Sequence, residues 1–398
     1  MPASSEGPLA GVRILDLTAM LAGPYSTMIL SDLGADVVKI EPPSGDVTRG
    51  SGPRRPGDGP RALNGYFQSI NRGKSSLVMD LREPATRETF LDLVRRADVL
   101  MENYSTGVMD RLDLSYETLH EENPRLVYGA LRGFGDPRLG RSPYADWPAF
   151  DVVAQAMGGH MSITGTNDGH PIKSGPGIGD IFPGTLLAVG VLAALRHVER
   201  TGQGQFVDVA MMDSMIALCE RAVYQYSYLD QVAGPIGNSH PLLYPFDVFE
   251  SNDGWIALAG NKDSHWAIIA EAMERPDLVT DDRYSTNNAR VQNRATLAPI
   301  VEEWVRAHTN AQLVEMFGGR VPIGPVKNTA DLFDDPHVHA RQMLVEVEQP
   351  DSSTPVTIAG VPLKFSTTPA HVRGRGPHLG EQTPDEIAQR WSDGRSGA

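Results

Sequence analysis

The sequence predicts an α/β protein: a large Rossmann-like domain built on a mostly parallel sheet, joined to a smaller α+β domain. Three observations lead there. Over the first two hundred residues short apolar runs alternate with helix-like segments, the order that gives parallel strands covered by helices. Near residue 234 the alternation stops at an irregular stretch, Gly234–Tyr244. After about residue 340 strand-like text returns, before a polar tail. At 398 residues the chain also exceeds what one hydrophobic core ordinarily organises. The expected division is a large domain over residues 1–220 completed by 340–398, a small domain over 235–330, and linkers at 221–234 and 331–339.

Taken in order, Val12–Leu17 (VRILDL) reads as a short buried strand, and Pro24–Leu33 as a helix ended near Gly34. Ala35–Ile40 is the second strand and Ser76–Leu81 the third. Pro84–Arg96 reads as an amphipathic helix, and Asp98–Met101 and Leu126–Leu131 as further strands. Gly45–Asn64, rich in Gly, Pro and Arg, and Arg132–Pro148 read as loops, and long loops inside compact domains are often functional. Ile181–Arg200 is apolar on nearly every face until its polar end, as in a buried helix. In the small domain a hairpin over Phe246–Ala259 turns at Asn252-Asp253-Gly254, with helices around 265–275, 288–307 and 310–318. Met343–Glu348 and Val356–Ile358 are strand-like, and no repeat is found.

Hydrophobic content of 40% and charged content of 21% are ordinary for a globular protein. The net charge of −15 argues against nucleic acid and against anionic membranes as partners. Arg54-Arg55 between two prolines reads as part of a solvated loop. The single cysteine, Cys219, excludes an intramolecular disulfide and reads as a core residue. The N-terminus lacks the basic-then-apolar order of a signal peptide, and the longest apolar run, broken by Pro183 and glycines, reads as too short for a membrane span. A soluble cytoplasmic protein is expected. No His/Cys/Asp/Glu grouping has convincing metal-ligand spacing, and His337-Val338-His339 reads as a polar loop.

One residue stands out chemically. Asp180 follows three glycines in Gly-Pro-Gly-Ile-Gly-Asp and precedes the long apolar helix, which is expected to start at or just after it. Unpaired amides and the positive end of the helix dipole meet there, favouring an ionised carboxylate, and glycines let a substrate approach closely. The same position suits an ordinary N-cap, since Asp is a preferred cap.

A Rossmann-like start invites a dinucleotide, but G-x-G-x-x-G is absent and Pro24 stands where the backbone would have to approach a pyrophosphate. Near the strand ends lie Lys74, Arg82, Asn103, Tyr104, Arg111 and Arg132, scattered polar groups of the kind coenzyme A, with three phosphates and an adenine, would need.

LDLTAMLAGP (15–24), LGADVVKIEPPSGDVTR (33–49), NRGKSSLVMDL (71–81), DVLMENYSTGVMDRL (98–112), GIGDIFPG (177–184) and RTGQGQFVDVAMMDSM (200–215) together resemble the class III CoA-transferases, the group of formyl-CoA transferase and carnitine CoA-transferase that shares its fold with α-methylacyl-CoA racemase. The resemblance covers nearly the whole chain. It implies acyl transfer through Asp180, with acyl-CoA and a free carboxylic acid as substrates, no tightly bound cofactor, and an interlocked homodimer. Nearby glycine amides would stabilise the oxyanions. It further implies CoA contacts at Ala22, Met79, Arg82, Asn103, Tyr104, Arg111 and Arg132, with Lys74 beside them. Leu21, Phe150, Asp151, Gly177, Gly179, His240 and Tyr244 would line the acyl or acceptor pocket, with a second helix cap before VVAQAM the alternative for Asp151 and interdomain packing for His240 and Tyr244. Leu21 and Pro42 stand where formyl-CoA transferase has a glutamine and a CoA-contacting arginine, and its glycine-rich lid is not evident, which argues against formyl or oxalate specificity. Phe150 stands where the racemases carry a catalytic histidine, so the base that proton abstraction needs is missing. Racemase chemistry and an idle CoA-binding protein remain the alternatives at this point.

Overall fold

The computed structural model describes residues 7–166 and 168–393. Six strands, β1 (Arg13–Asp16), β2 (Asp36–Glu41), β3 (Ser75–Val78), β4 (Val99–Glu102), β5 (Val127–Arg132) and β6 (Phe206–Ala210), form one sheet in the order β3-β2-β1-β4-β5-β6. Every pairing in it is parallel. This is the doubly wound order, in which the direction of winding reverses between β1 and β4.

The strands read as continuous apolar runs because both faces are covered. Alternation sends Leu15, Val38 and Leu100 into one core, with Phe90 and Leu119, while Ile14, Val37, Val99 and Met101 enter the other, with Leu187 and Val191. The helices up to residue 229 are α1 (Ala22–Asp32), α2 (Gly65–Asn71), α3 (Pro84–Val94), α4 (Val108–Arg111), α5 (Tyr116–Glu122), α6 (Asp151–Met157), α7 (His160–Ile163), α8 (Ile178–Thr201), α9 (Met211–Leu218) and α10 (Glu220–Leu229). The polar tail contributes a further helix, Pro384–Asp393, whose Ile387 and Trp391 are buried in the first core. Two stretches to which the sequence assigns no element are helical: Gly65–Asn71, directly after the Gly/Pro/Arg-rich loop, and this C-terminal one.

Two compact units result. The first takes in Met1–Met161, Lys173–Val232 and Pro336–Ala398, the second Ser162–Ile172 and Ala233–Asp335. The short stretch Ser162–Ile172, expected within the large domain, belongs to the second unit. That unit has a three-stranded sheet. Its hairpin pairs Phe246 with Ala259 and Glu250 with Trp255, and Ile323–Pro325 adds the third strand. The helix expected over 288–307 is divided at Asn293 into Asn287–Gln292 and Arg294–Arg306. Trp266, Tyr244 and Phe317 fill this unit's core. His337-Val338-His339, expected as a loop, is helical.

α8 corrects two expectations. It begins at Ile178, before Asp180, and it runs unbroken through Pro183 to Thr201. By length and composition alone it could cross a membrane; here Leu187, Ala188, Val191 and Ala194 are buried against the sheet. A Cβ at Gly184 would lie 2.4 Å from the Ala22 carbonyl oxygen, so the first turn of α1 rests directly on α8.

Candidate active site

In a doubly wound sheet ligands bind beyond the C-terminal ends of the strands where the winding reverses. Here the segments leaving β1 and β4 meet at that point. The Asn103 side chain grips the Ala19 backbone from both sides, accepting its N–H and donating to its carbonyl at 2.8 Å each. The next residue, Met20, is held at φ 67°, a left-handed conformation that a non-glycine residue adopts at a cost. α1 then starts at Ala22 beside a cavity of about 330 Å³. Met20, Leu21, Ala22, Tyr66, Asn103, Tyr104, Trp147, Phe150 and Asp180 are among its lining residues.

Asp180 is the third residue of α8, behind the cap Gly177. It is half-buried, and its carboxylate accepts no hydrogen bond among the described residues. Burial, and then the neighbouring Asp151 charge, raise its pKa to about 6. The cap role is taken from another helix: the Asp151 carboxylate accepts the Gly179 N–H at 2.8 Å and the Gln155 amide at 2.8 Å. A Cβ built on Gly177 would lie 3.7 Å from an Asp180 carboxylate oxygen and 3.8 Å from the Asp151 carboxyl carbon, so the two acids flank this turn at van der Waals distance. An ionised, desolvated carboxylate without donors at the edge of a cavity is equipped to act as a nucleophile.

A second, mostly apolar cavity of about 390 Å³ opens between the ends of β1, β2 and β3, lined by Ile40, Pro42, Val47, Met79 and Leu81, with Arg82 also on its wall. Tyr104 lines both cavities. Burial, with the charges of Glu102, Asp16 and Asp46, pushes its phenol up to about 12, so at neutral pH it is a hydrogen-bond donor. An extended ligand with an aromatic head and a reactive tail would fit one chamber with each end.

The expected site residues thus separate. Leu21, Ala22, Asn103, Tyr104, Arg132, Phe150 and Asp180 line the first cavity; Met79, Arg82 and Tyr104 line the second. Arg82 is highly exposed and doubly bonded to Asp80. Arg111 is exposed on α4, with no side-chain partner among the described residues. Lys74 needs correction as a CoA contact. It is fully buried and its ammonium is spent on Asp16, the Pro24 carbonyl and Asn71. Arg132 is likewise saturated: it holds Glu102, Asp136 and the Tyr104 carbonyl, and so fixes Tyr104 rather than offering a free cation. The Gly179 amide, expected to face an oxyanion, is taken by Asp151. Tyr244 is fully buried in the second unit's own core, which removes it from any pocket lining. His240 lies in that unit too, its ring 5.2 Å from Phe246.

Sequence reasoning passed over Tyr66, Trp147 and Gln155. Tyr66 sits on α2, whose start is marked by Asn64 capping the Phe67 amide at 2.9 Å. An Asn-Gly pair before an apolar run was the available signal. Trp147 packs against Tyr144, the rings tilted and their centroids 4.8 Å apart. Nothing in the local sequence marked Gln155. Among the described residues no group of three His, Cys, Asp or Glu side chains is placed to hold a metal.

Comparison with known proteins agrees with this architecture. The family model "CoA-transferase family III" matches residues 9–383. Succinyl-CoA:mesaconate CoA-transferase of Haloarcula marismortui is 52% identical over 387 residues, covering 97% of each chain. Succinate–glutarate CoA-transferase of Agrobacterium fabrum is 35% identical, covering 96% of this chain and 95% of its own. A solved CaiB/BaiF family protein from Brucella suis superposes with a TM-score of 0.84 at 34% identity, covering 97% of this chain and all of that one. The protein is therefore a CoA-transferase, and the chain belongs to CoA-transferase family III.

Proposed function

We propose that this protein moves CoA from a short dicarboxylic acyl-CoA to a second free dicarboxylic acid, with Asp180 as the covalent relay. The observation that carries the reading is the donor-free Asp180 carboxylate on a cavity that shares Tyr104 with a second, apolar one. The apolar chamber, with Arg82 on its wall, suits the adenine and phosphates of CoA. The first chamber suits the acyl end. The substrates named for the two relatives, succinate, mesaconate and glutarate, supply the acid class.

In the first step an Asp180 oxygen attacks the thioester carbonyl, the C–S bond breaks, and a mixed anhydride and CoA thiolate form. The thiolate attacks the Asp180 carbonyl carbon, releasing the donor acid as its carboxylate and leaving an aspartyl–CoA thioester. The acceptor carboxylate attacks that thioester and expels CoA thiolate again. The thiolate then attacks the acceptor's acyl carbon, which frees Asp180 and the new acyl-CoA. No net proton is consumed, so the relay itself needs no general base. Phe150, where a racemase base would stand, cannot accept a proton.

Mass spectrometry after incubation with a panel of acyl-CoAs and then hydroxylamine is expected to place a hydroxamate on the Asp180 peptide, strongest with succinyl-CoA. An unmodified peptide with every thioester would defeat the reading. The pH profile gives a second check. Asp180 must be ionised to attack, so kcat/KM should fall below a pH near 6, about tenfold per unit. A flat profile from pH 8 down to 5 would contradict it. We read the active form as a cytoplasmic homodimer. α10, which buries none of its residues and exposes Tyr224, Tyr226, Tyr228 and Leu229, supplies an apolar surface for a second copy to cover.

A further inference from the structure

We propose that Asp151 and Gln155 are positioning residues for the transfer reaction: Asp151 caps α8 from outside, so that Asp180 is released from capping and keeps a donor-free carboxylate. The inference rests on the proposed role of Asp180 as nucleophile.

A helix leaves its first amides without acceptors, and an acid in the first turn ordinarily folds back onto them. α8 carries an acid there, Asp180, and its own cap residue is Gly177, which has no side chain. Without another acceptor, Asp180 would be drawn back onto the Gly179 amide, and those bonds would stabilise the anion and blunt its attack. Asp151 pre-empts this. Its Oδ1 takes the Gly179 N–H from the facing helix α6. The fit is close: a Cβ on Gly179 would lie 2.7 Å from the Asp151 carbonyl oxygen and 3.0 Å from Oδ1, so only glycine allows it.

Asp151 is itself held. Gln155, fully buried one turn along α6, donates to the same Oδ1 and accepts the Ser174 N–H at 3.0 Å. The Ser174 hydroxyl meets His160 Nε2 at 2.7 Å. Gln155 directly, and Asp151 with its support, therefore tie α6 to the two ends of the glycine segment 174–179 that presents Asp180. Such a buried, fully bonded amide fixes geometry, since either partner left alone would be an orphaned polar group.

The groups around Asp180 define the electrostatics. α6 contributes Asp151, with the Lys173 ammonium 3.8 Å behind its Oδ2. α2 contributes the neutral Tyr66 phenol, which burial and then Asp180 push up. α1 and α9 present Leu21, Ala22 and Met211, and the cavity wall also carries exposed Asp146 and the saturated Arg132.

Asp151→Asn and Asp151→Ala separate cap from charge. The asparagine keeps an oxygen for the Gly179 amide but carries no charge. Its acid limb for hydroxylamine-trapped adduct formation should move down by about half a unit to one unit, with the plateau reduced less than about fivefold. The alanine also loses the cap. Its limb should fall as well and its plateau drop about thirtyfold or more, with acyl-CoA KM within about twofold in both. Gln155→Met keeps the volume and the Asp151 charge, so its plateau should drop about tenfold with an unmoved limb, and it stands in if the alanine variant does not fold. An unmoved limb in Asp151→Asn, or wild-type plateaus in Asp151→Ala or Gln155→Met, overturns the proposal. If the wild type forms no adduct with any acyl-CoA, the nucleophile reading falls instead. The cap is then tested alone by titrating the ¹³C carboxyl shift of Asp180 from Asp151→Asn to Asp151→Ala, which share the lost charge and differ in the oxygen that holds the Gly179 amide. A downward move supports it and coincident curves refute it.

Discussion

Asp180→Ala is expected to lower CoA transfer at least about 10³-fold while leaving the Kd for CoA within about threefold of wild type. The two halves of this result have different causes. Transfer between a thioester and a free carboxylate has no easy direct route, because the resting carboxylate of the acceptor would have to expel a thiolate unaided. The proposed relay divides that exchange into steps, and each passes through the one carboxylate. The neighbouring acids are engaged elsewhere: Asp151 with the Gly179 amide and Gln155, and Asp146 with Arg141. CoA affinity, by contrast, should reside in the second cavity, around Met79, Leu81, Arg82 and Tyr104, which Asp180 does not line. Isothermal titration of the variant with CoA, beside a turnover assay, decides the matter. Retained turnover would remove Asp180 from the mechanism, and loss of both activities would point to a folding defect.

The same carboxylate carries a stability signature. Its folded-state pKa, raised to about 6, lies above the value near 4 of an unfolded aspartate, so the native state holds the proton more tightly. Ionised Asp180 therefore costs stability above pH 6, and that cost fades as the pH falls through 6 towards 4. Asp180→Asn should melt about 1–3 °C higher than wild type at pH 7.5, with the gap closing below pH 4. A nucleophile that weakens the fold when removed would not fit this environment.

The sheet was legible, and Asp180 stood out as a candidate, because their signals are local. Apolar runs such as Val12–Leu17 and Ala35–Ile40 have strand length, and the Gly-Ile-Gly-Asp step has no common structural purpose other than close approach and capping. Whether Asp180 caps its own helix was not legible. It is decided by Asp151, twenty-eight positions from the amide it accepts, and tertiary partners leave no trace in a helical period. Lys74, Arg132 and Asn103 illustrate the same limit from the opposite side. A cation or amide near a strand end looks the same in sequence whether it meets a phosphate or a backbone carbonyl. Burial makes the difference, and for Lys74 and Arg132 it favours internal bonds. Tyr244 was misplaced for a related reason, as an aromatic in irregular text that in fact anchors a core.

Lys74→Met is expected to destabilise the first unit by about 3–5 kcal/mol and to leave the KM for acyl-CoA nearly unchanged in whatever folds. Asp16 ends β1 with no exposure; its Oδ2 accepts the Lys74 ammonium at 3.0 Å and Thr27 at 2.8 Å, while Oδ1 accepts the Thr18 amide. Burial alone would raise the Asp16 carboxyl, but Lys74 and then Lys39 outweigh it and hold it below its ordinary value. For Lys74 the balance runs the other way: burial outweighs Asp16 and brings the ammonium down to about 8. Removing the lysine leaves a buried anion with only the more distant Lys39 as a cation, and takes one donor from the Pro24 carbonyl and one from the Asn71 side-chain oxygen. Because Pro24 lies in the first turn of α1, the damage reaches Leu21 and Ala22 at the acyl cavity, so kcat should fall before KM rises. Replacing both partners, as Asp16→Leu with Lys74→Met, should cost less than Lys74→Met alone, since no charge is then left unpaired. Denaturant midpoints of the two variants decide between a structural lysine and a ligand contact. A stable Lys74→Met enzyme with a tenfold higher KM would restore the lysine to the CoA site.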